Sequence, residues 1–246
     1  MPILHVANVS KSYGKHQILS NVNFSANTGQ ILGLIGPSGS GKTTLIKLIM
    51  GMEVPSTGTV EVLSKKVPNL DLLQKIGYMA QSDALYQDLT GLENLSFFAS
   101  MFLMNRNEQK DRIAYVTRIV QLENAIQKKV LTYSGGMKRR LSLAIALIQN
   151  PEILILDEPT VGIDPELRKS IWQELDRLKN DEQKTIVVTT HVMDEAEKCD
   201  ELTMIREGKV ITTGSPQALK EAYQVSNLED VFLKAGGVLD AHQGPR

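Results

Sequence analysis

The chain has 246 residues, with 27 Lys and Arg against 28 Asp and Glu, 5% aromatic residues and one cysteine. That length fits one large α/β domain or two small ones around a substantial core, and the near-neutral charge with few aromatics gives no footprint or stacking platform for nucleic acid. The lone Cys199, at the end of a helical run, cannot form an internal disulfide and is expected to be inert, and apolar runs such as residues 153–156 fall far short of the roughly 20 residues of a membrane-crossing helix.

The first residues lack the basic n-region and long apolar stretch of a secretory signal, so a cytosolic location is expected. Residues 4–9 and 22–24 alternate apolar and polar side chains around the spacer Ser10-Lys-Ser-Tyr-Gly-Lys, which predicts antiparallel strands joined by a turn. Next comes an uninterrupted succession of apolar strand (residues 31–35), glycine-rich loop and apolar helix (Leu45, Ile46, Leu48, Ile49). Residues 59–62, after a turn signal at Gly58, and residues 75–79 have strand texture again and are expected to join a small antiparallel sheet. From Thr90 to about Asn150 strand signals vanish, and Leu92, Leu95, Phe98 followed by Ile113, Val116, Val120 repeat at helical spacing, so an inserted helical subdomain of about 85–150 is predicted.

After it the α/β alternation resumes. Residues 153–156 read as a buried strand, Asp164-Pro165-Glu166 opens a helix with one face of Leu167, Ile171, Leu175 and Leu178, and residues 185–190 form a second buried strand. A short helix over 192–199 and a hairpin over 201–213, turning at Glu207-Gly208-Lys209, complete a mostly parallel sheet covered by helices. The expected domain covers residues 1–235, with a flexible tail over 236–246.

The loop Gly36-Pro37-Ser38-Gly39-Ser40-Gly41-Lys42-Thr43-Thr44 carries the chemistry of nucleoside triphosphate binding. Its glycines let the backbone wrap a polyphosphate and turn N–H groups and a helix N-terminus toward the negative charge. Lys42 then reaches the β- and γ-phosphates, and the Thr43 hydroxyl is placed to ligate Mg²⁺. The alternative, a glycine-rich turn that happens to hold a lysine, does not account for the flanking strand and helix. Asp157 and Glu158 follow an apolar strand, which suits the first to holding the Mg²⁺ complex and the second to accepting a proton from an attacking water. Ser134-Gly135-Gly136 begins a helix and offers free N–H groups to an anion; taken alone, it reads as an N-cap by Ser134 before a solvated Lys-Arg-Arg face.

The order of these three segments resembles the nucleotide-binding subunit of ABC transporters, over roughly residues 3–223. On that resemblance residues 36–44 are the Walker A motif, Ser134-Gly135-Gly136-Met137 the signature and residues 153–158 the Walker B strand. Tyr13 corresponds to the adenine-stacking aromatic, Gln81 to the Q-loop residue beside the Mg²⁺ site, Asp164 to the D-loop and His191 to the switch histidine at the γ-phosphate. The resemblance implies a P-loop NTPase core with a mostly parallel sheet, an added antiparallel β subdomain and an inserted helical one. It further implies ATP and Mg²⁺, a second nucleotide-binding subunit (homo- or heterodimer), a separate integral-membrane permease that holds the chain on the inner face of the membrane, and no nucleic acid.

Tyr133 and Met137 stand where the signature has leucine and glutamine. The form Tyr-Ser-Gly-Gly-Met-Lys-Arg-Arg-Leu, with the closing Asn227-Leu-Glu-Asp-Val-Phe-Leu233, is similar to the drug-resistance and ABC-2-type exporter branch. Two other classes compete. A soluble ABC ATPase acting on ribosomes or chromosomes is disfavoured by the single cassette and the missing heptad coils, and a P-loop kinase or GTPase by the full motif set.

Overall fold

The computed structural model describes residues 2–82 and 84–237. The chain divides into two compact units, residues 1–69 with 187–246 and residues 70–186. Of the expected tail over 236–246, residues 238–246 lie outside the described residues.

The first unit begins with β1 (Leu4–Tyr13) and β2 (His16–Ala26), an antiparallel pair whose register runs from Leu4 opposite Ala26 to Tyr13 opposite His16. Residues 10–13, expected as spacer, continue β1, and the reversal is confined to Gly14 and Lys15. Strand β3 (Ile31–Ile35) is buried at every position, as a continuous apolar run requires, and leads through the glycine loop into α1 (Lys42–Ile49). β4 (Thr57–Val62) pairs antiparallel with β1, and β5 (Lys65–Lys66) extends that sheet. Gly58 lies inside β4, not in a turn before it.

The second unit holds β6 (Ile76–Met79), α2 (Gly91–Ser100), α3 (Arg106–Ile119), α4 (Gly135–Leu147), β7 (Ile153–Asp157) and α5 (Pro165–Glu182). Residues 75–79 do not join the antiparallel sheet: β6 pairs in parallel with β7, Ile76 opposite Ile153 and Met79 opposite Leu156. Four residues are too few for their alternation to reveal a partner. Helix α5 buries Ile171, Trp172, Leu175 and Leu178, the face expected from spacing with a tryptophan added, while Leu167 is half-buried.

Strand β8 (Thr185–Thr190) is buried throughout and passes from the second unit into the first. Helix α6 (Met193–Ala196) is one turn, shorter than the expected 192–199. β9 (Glu201–Arg206) pairs in parallel with β3 and antiparallel with β10 (Lys209–Gly214), the predicted hairpin, and α7 (Pro216–Tyr223) and α8 (Leu228–Ala235) follow. The Asp200 carboxylate accepts from the Ile31 N–H at 2.7 Å, fixing the start of β3. Cys199 is buried and lies where a side chain on Gly33 would stand, which makes it part of the packing.

Helix α2 shows how a polar residue earns a place in a core. Thr90 and Glu93 form a reciprocal cap, and Asn94, fully buried one position later, accepts from the Tyr86 N–H at 2.9 Å and donates to the Tyr86 carbonyl at 3.0 Å and the Thr90 carbonyl at 2.9 Å. The loop before α2 is thereby tied to the helix, with the Tyr86 backbone clamped and its ring 48% exposed. Asn94→Ala leaves the clamped N–H and carbonyl without this partner, at about 1–3 kcal/mol. A lower urea midpoint is the expected outcome, and an unchanged midpoint would show that the clamp carries no stability.

Candidate functional site

The glycine loop closes on itself. Gly39 and Gly41 take φ of +79° and +105°, the left-handed region that side-chain-bearing residues avoid, and this turns the chain into α1 with no side chain capping the helix start. Lys42, though buried, bends back so that its Nζ donates to the carbonyls of Gly36 at 2.6 Å and Pro37 at 3.1 Å. The Ser40 N–H bonds the Pro37 carbonyl, and the Ser40 carbonyl accepts from Gly208 at 3.1 Å. Pro37, Ser38, Gly39 and Thr43 are exposed and Thr44 half-exposed. The Ser40 hydroxyl is buried with no hydrogen-bond partner among the described residues. A stiff concave loop, an uncapped helix start, an ammonium beneath it and an orphaned hydroxyl within it fit a polyphosphate.

Two further candidates lie in the same unit. Tyr13 ends β1 with its ring 44% exposed; its hydroxyl donates to Glu53 and Lys11 Nζ stands 5.0 Å from the ring centroid. The bond to Glu53 raises the phenol pKa and lowers that of the carboxyl. His191 is exposed at the end of β8 and shares a cavity of about 300 Å³ with Pro37 and Ser38 of the loop. Its segment is clipped: Thr190 Oγ1 donates to Glu195 Oε2 at 2.7 Å and accepts from the Val192 N–H at 3.0 Å, both side chains being buried. The structure thus brings His191 to the glycine loop.

In the second unit β7 delivers Asp157, 2% exposed, and Glu158, half-buried with φ +52°. The Gln81 amide donates to Glu158 Oε2 at 3.1 Å, so these two side chains meet. Behind them lies a residue the sequence reading missed. Arg139, expected on a solvated face, is 6% exposed and donates to four carbonyls: Ala80 at 2.7 Å, Gln81 at 2.9 Å, Asp157 at 2.5 Å and Glu158 at 2.6 Å. A planar fork suits this task, because two terminal nitrogens reach the ends of two neighbouring strands together. Arg140 is also bound, to the carbonyls of Val120 and Gln121.

Ser134 is the N-cap of α4, its hydroxyl accepting from the Met137 N–H at 3.2 Å, and no heavy atom would meet a side chain built on Gly135 or Gly136. Asp164 caps α5 through Leu167 at 3.0 Å. Both therefore have a local role, and the helix start at Ser134 faces open space.

The sequence profile of the family described as "ABC transporter" matches residues 19–161. A Nod factor export ATP-binding protein I from Burkholderia orbicola (strain AU 1054) is 42% identical over 218 residues, 87% of this chain and 71% of that protein. ABC transporter G family member 23 from Dictyostelium discoideum is 39% identical over 239 residues, 94% of this chain, which spans only 33% of that longer protein. Among solved structures, a dimeric post-hydrolysis ATP-binding cassette bound to ADP and phosphate superimposes with a TM-score of 0.80 at 30% identity, covering 86% of this chain and 98% of that one. With a phosphate loop, a strand ending in Asp-Glu and the intervening serine-glycine-glycine helix start all present, the chain belongs to the ABC transporter family, as an ATP-binding and ATP-hydrolysing cassette.

Proposed function

We propose that the chain is the motor subunit of an exporter, pairing with a second cassette of like or different sequence around two ATP molecules to drive a separate membrane permease. The observation that carries this reading is the open helix start at Ser134. One triphosphate needs one such start, and α1 supplies it; the first-turn N–H groups of α4 have no intrahelical acceptor and suit the phosphates of a neighbour's nucleotide. The similar cassette bound to ADP and phosphate is a dimer, which supports pairing. Similarity to a Nod factor export ATP-binding protein supports export.

In this reading residues 36–44 hold the phosphates, with Lys42 countering charge on the β and γ groups, and Tyr13 stacks on adenine. Mg²⁺, held by Thr43, Gln81 and Asp157, would neutralise charge that builds on the phosphate oxygens. Glu158 takes a proton from water as the water oxygen bonds to the γ-phosphorus and the bond to the β–γ bridging oxygen breaks, leaving ADP and inorganic phosphate. The Gln81 bond to Glu158 supports a shared task, one holding the carboxylate that the other side of the reaction uses. His191 donates to the γ-phosphate oxygens as negative charge shifts onto them. Ser134, Gly135, Gly136 and Asp164 serve the nucleotide from across the dimer.

None of the described helices is long and apolar enough to cross a membrane. The candidate contact lies in the second unit, where the Tyr86 ring meets Phe97 edge-on at 4.9 Å and Phe98 at 6.2 Å, with Met101 and Leu103 exposed nearby in sequence and Leu85 and Leu89 half-buried. A short cytoplasmic helix of the permease would lay its apolar face there.

Glu158→Gln keeps the shape and removes the proton acceptor, so hydrolysis should fall about 10²–10⁴-fold while ATP binding persists and a dimer accumulates. Turnover and size measurement with ATP and Mg²⁺ decide this; near-normal turnover would reassign the base. Arg139→Lys keeps the charge without the fork. It should lower stability by about 1–3 kcal/mol, because carbonyls lose donors, and lower turnover with it, read by denaturation and phosphate release; wild-type values for both would remove Arg139 from the machinery. Tyr86→Asp puts an unpaired charge into an apolar contact. ATP binding should stay intact and capture of the permease should fail in pull-down, and normal assembly with normal cargo movement would place the contact elsewhere.

A further inference from the structure

The closing helix α8 takes no part in the mechanism above, yet it reaches the same cavity as His191. Leu228 and Val231 are buried, and Phe232, one turn after Leu228 on the same face, lines the 300 Å³ space together with Met193, His191, Pro37 and Ser38. The cavity is lined by two differently built segments besides α8. The phosphate loop is held by its own bonds: Lys42 to the Gly36 and Pro37 carbonyls, Ser40 to Pro37, and Gly208 to Ser40. The other is the short segment that carries His191. The Thr190–Glu195 clip makes residues 190–195 one piece, and α6, a single turn, relies on packing against its neighbours.

Helix α8 packs against α6, beside the α7 residue Lys220, whose Nζ donates to Glu197 at 2.9 Å. Helix α8 is anchored along its length: the Asn227 side chain accepts from the Asp230 N–H at 2.8 Å, Lys234 Nζ donates to the Tyr223 carbonyl at 3.0 Å, and Arg206 donates to the Gly236 carbonyl at 3.1 Å. A well-anchored helix thus presses an aromatic ring into the gap between the fixed loop and the piece bearing His191.

We infer that α8 braces the His191 segment, with Phe232 as a positioning residue that sets the reach of the histidine toward the phosphate loop and so governs the rate of hydrolysis but not ATP affinity. This rests on the reading of His191 as a donor to the γ-phosphate. A displacement of about 1 Å at a reacting group can cost about 10²-fold in rate, so truncating the ring has a measurable consequence without any loss of a polar contact.

The test is ATP turnover by the full chain carrying Phe232→Ala, Phe232→Leu, Phe232→Tyr, His191→Ala or the Phe232→Ala/His191→Ala pair. Phe232→Ala should lower kcat about 10- to 10²-fold with KM for ATP unchanged, Phe232→Tyr should restore it, and the pair should lose no more than His191→Ala alone. If Phe232→Ala fails to fold, Phe232→Leu keeps α8 apolar and must show the same split to a smaller degree. A raised KM, a loss that Phe232→Tyr does not recover, or full additivity with His191→Ala would overturn the brace. Normal turnover of Phe232→Ala beside an inactive His191→Ala overturns the brace alone, whereas normal turnover of His191→Ala overturns the assignment of His191 and the brace with it.

Discussion

A buried guanidinium holds together the ends of β6 and β7. Burying a cation is unfavourable unless its donors find acceptors, and the two terminal nitrogens of Arg139 find them in four carbonyls, two just past the end of β6 and two at the end of β7. Strand ends have no further ladder partner, so these carbonyls need donors, and one planar group supplies them all. The left-handed turn at Glu158 and the bond from Gln81 to its carboxylate both sit on this framework. Because Arg139 is on the second turn of α4, the helix whose start is Ser134 is bound to the segments that carry Gln81, Asp157 and Glu158. Gln81, Glu158 and α4 therefore share one hydrogen-bonded framework.

How much of this was legible in the sequence depended on whether the information was local. The strand, loop and helix of residues 31–49 are contiguous, and glycines at the left-handed positions announce themselves, so the local structure of that half of the candidate site was readable outright. Residues 153–158 were readable for the same reason. Residues 75–79 were recognised as a strand and given the wrong partner, because pairing with β7 joins segments more than seventy positions apart and leaves no mark on a four-residue pattern. Arg139 was missed because it stands between Lys138 and Arg140, and a basic triplet looks solvated. The helical period did hold a signal: Arg139, Leu143, Ala146 and Leu147 fall on one face of α4, the buried one, which placed the arginine toward the core.

Ser134 is open to a structural and a functional reading, and the geometry makes these compatible. The capping side chain accepts one N–H, that of the third helical residue, Met137. The earlier N–H groups of the same turn are left pointing out of the helix start with the positive end of its dipole. A serine in this position therefore orders the turn and leaves it able to receive an anion, and small glycines after it let the anion come close.

The two departures from the family's signature then have different consequences. Met137 keeps its N–H on the Ser134 hydroxyl, so the cap survives the loss of a glutamine amide at that position. Tyr133 is a larger change, since a buried leucine site must take a ring and a hydroxyl. The hydroxyl donates to the Ala125 carbonyl at 2.8 Å, a bond of about 1 kcal/mol net, and the ring fits because residue 91 is glycine: a side chain there would collide with the Tyr133 hydroxyl. Gly91 is the first residue of α2, directly after Thr90, and α2 carries the Asn94 that clamps Tyr86. The tyrosine thus packs the residue before the signature against the start of the helix that presents the apolar face. A leucine in its place would fill the same pocket without the hydroxyl to hold Ala125, and the join between those two segments would rest on apolar packing alone.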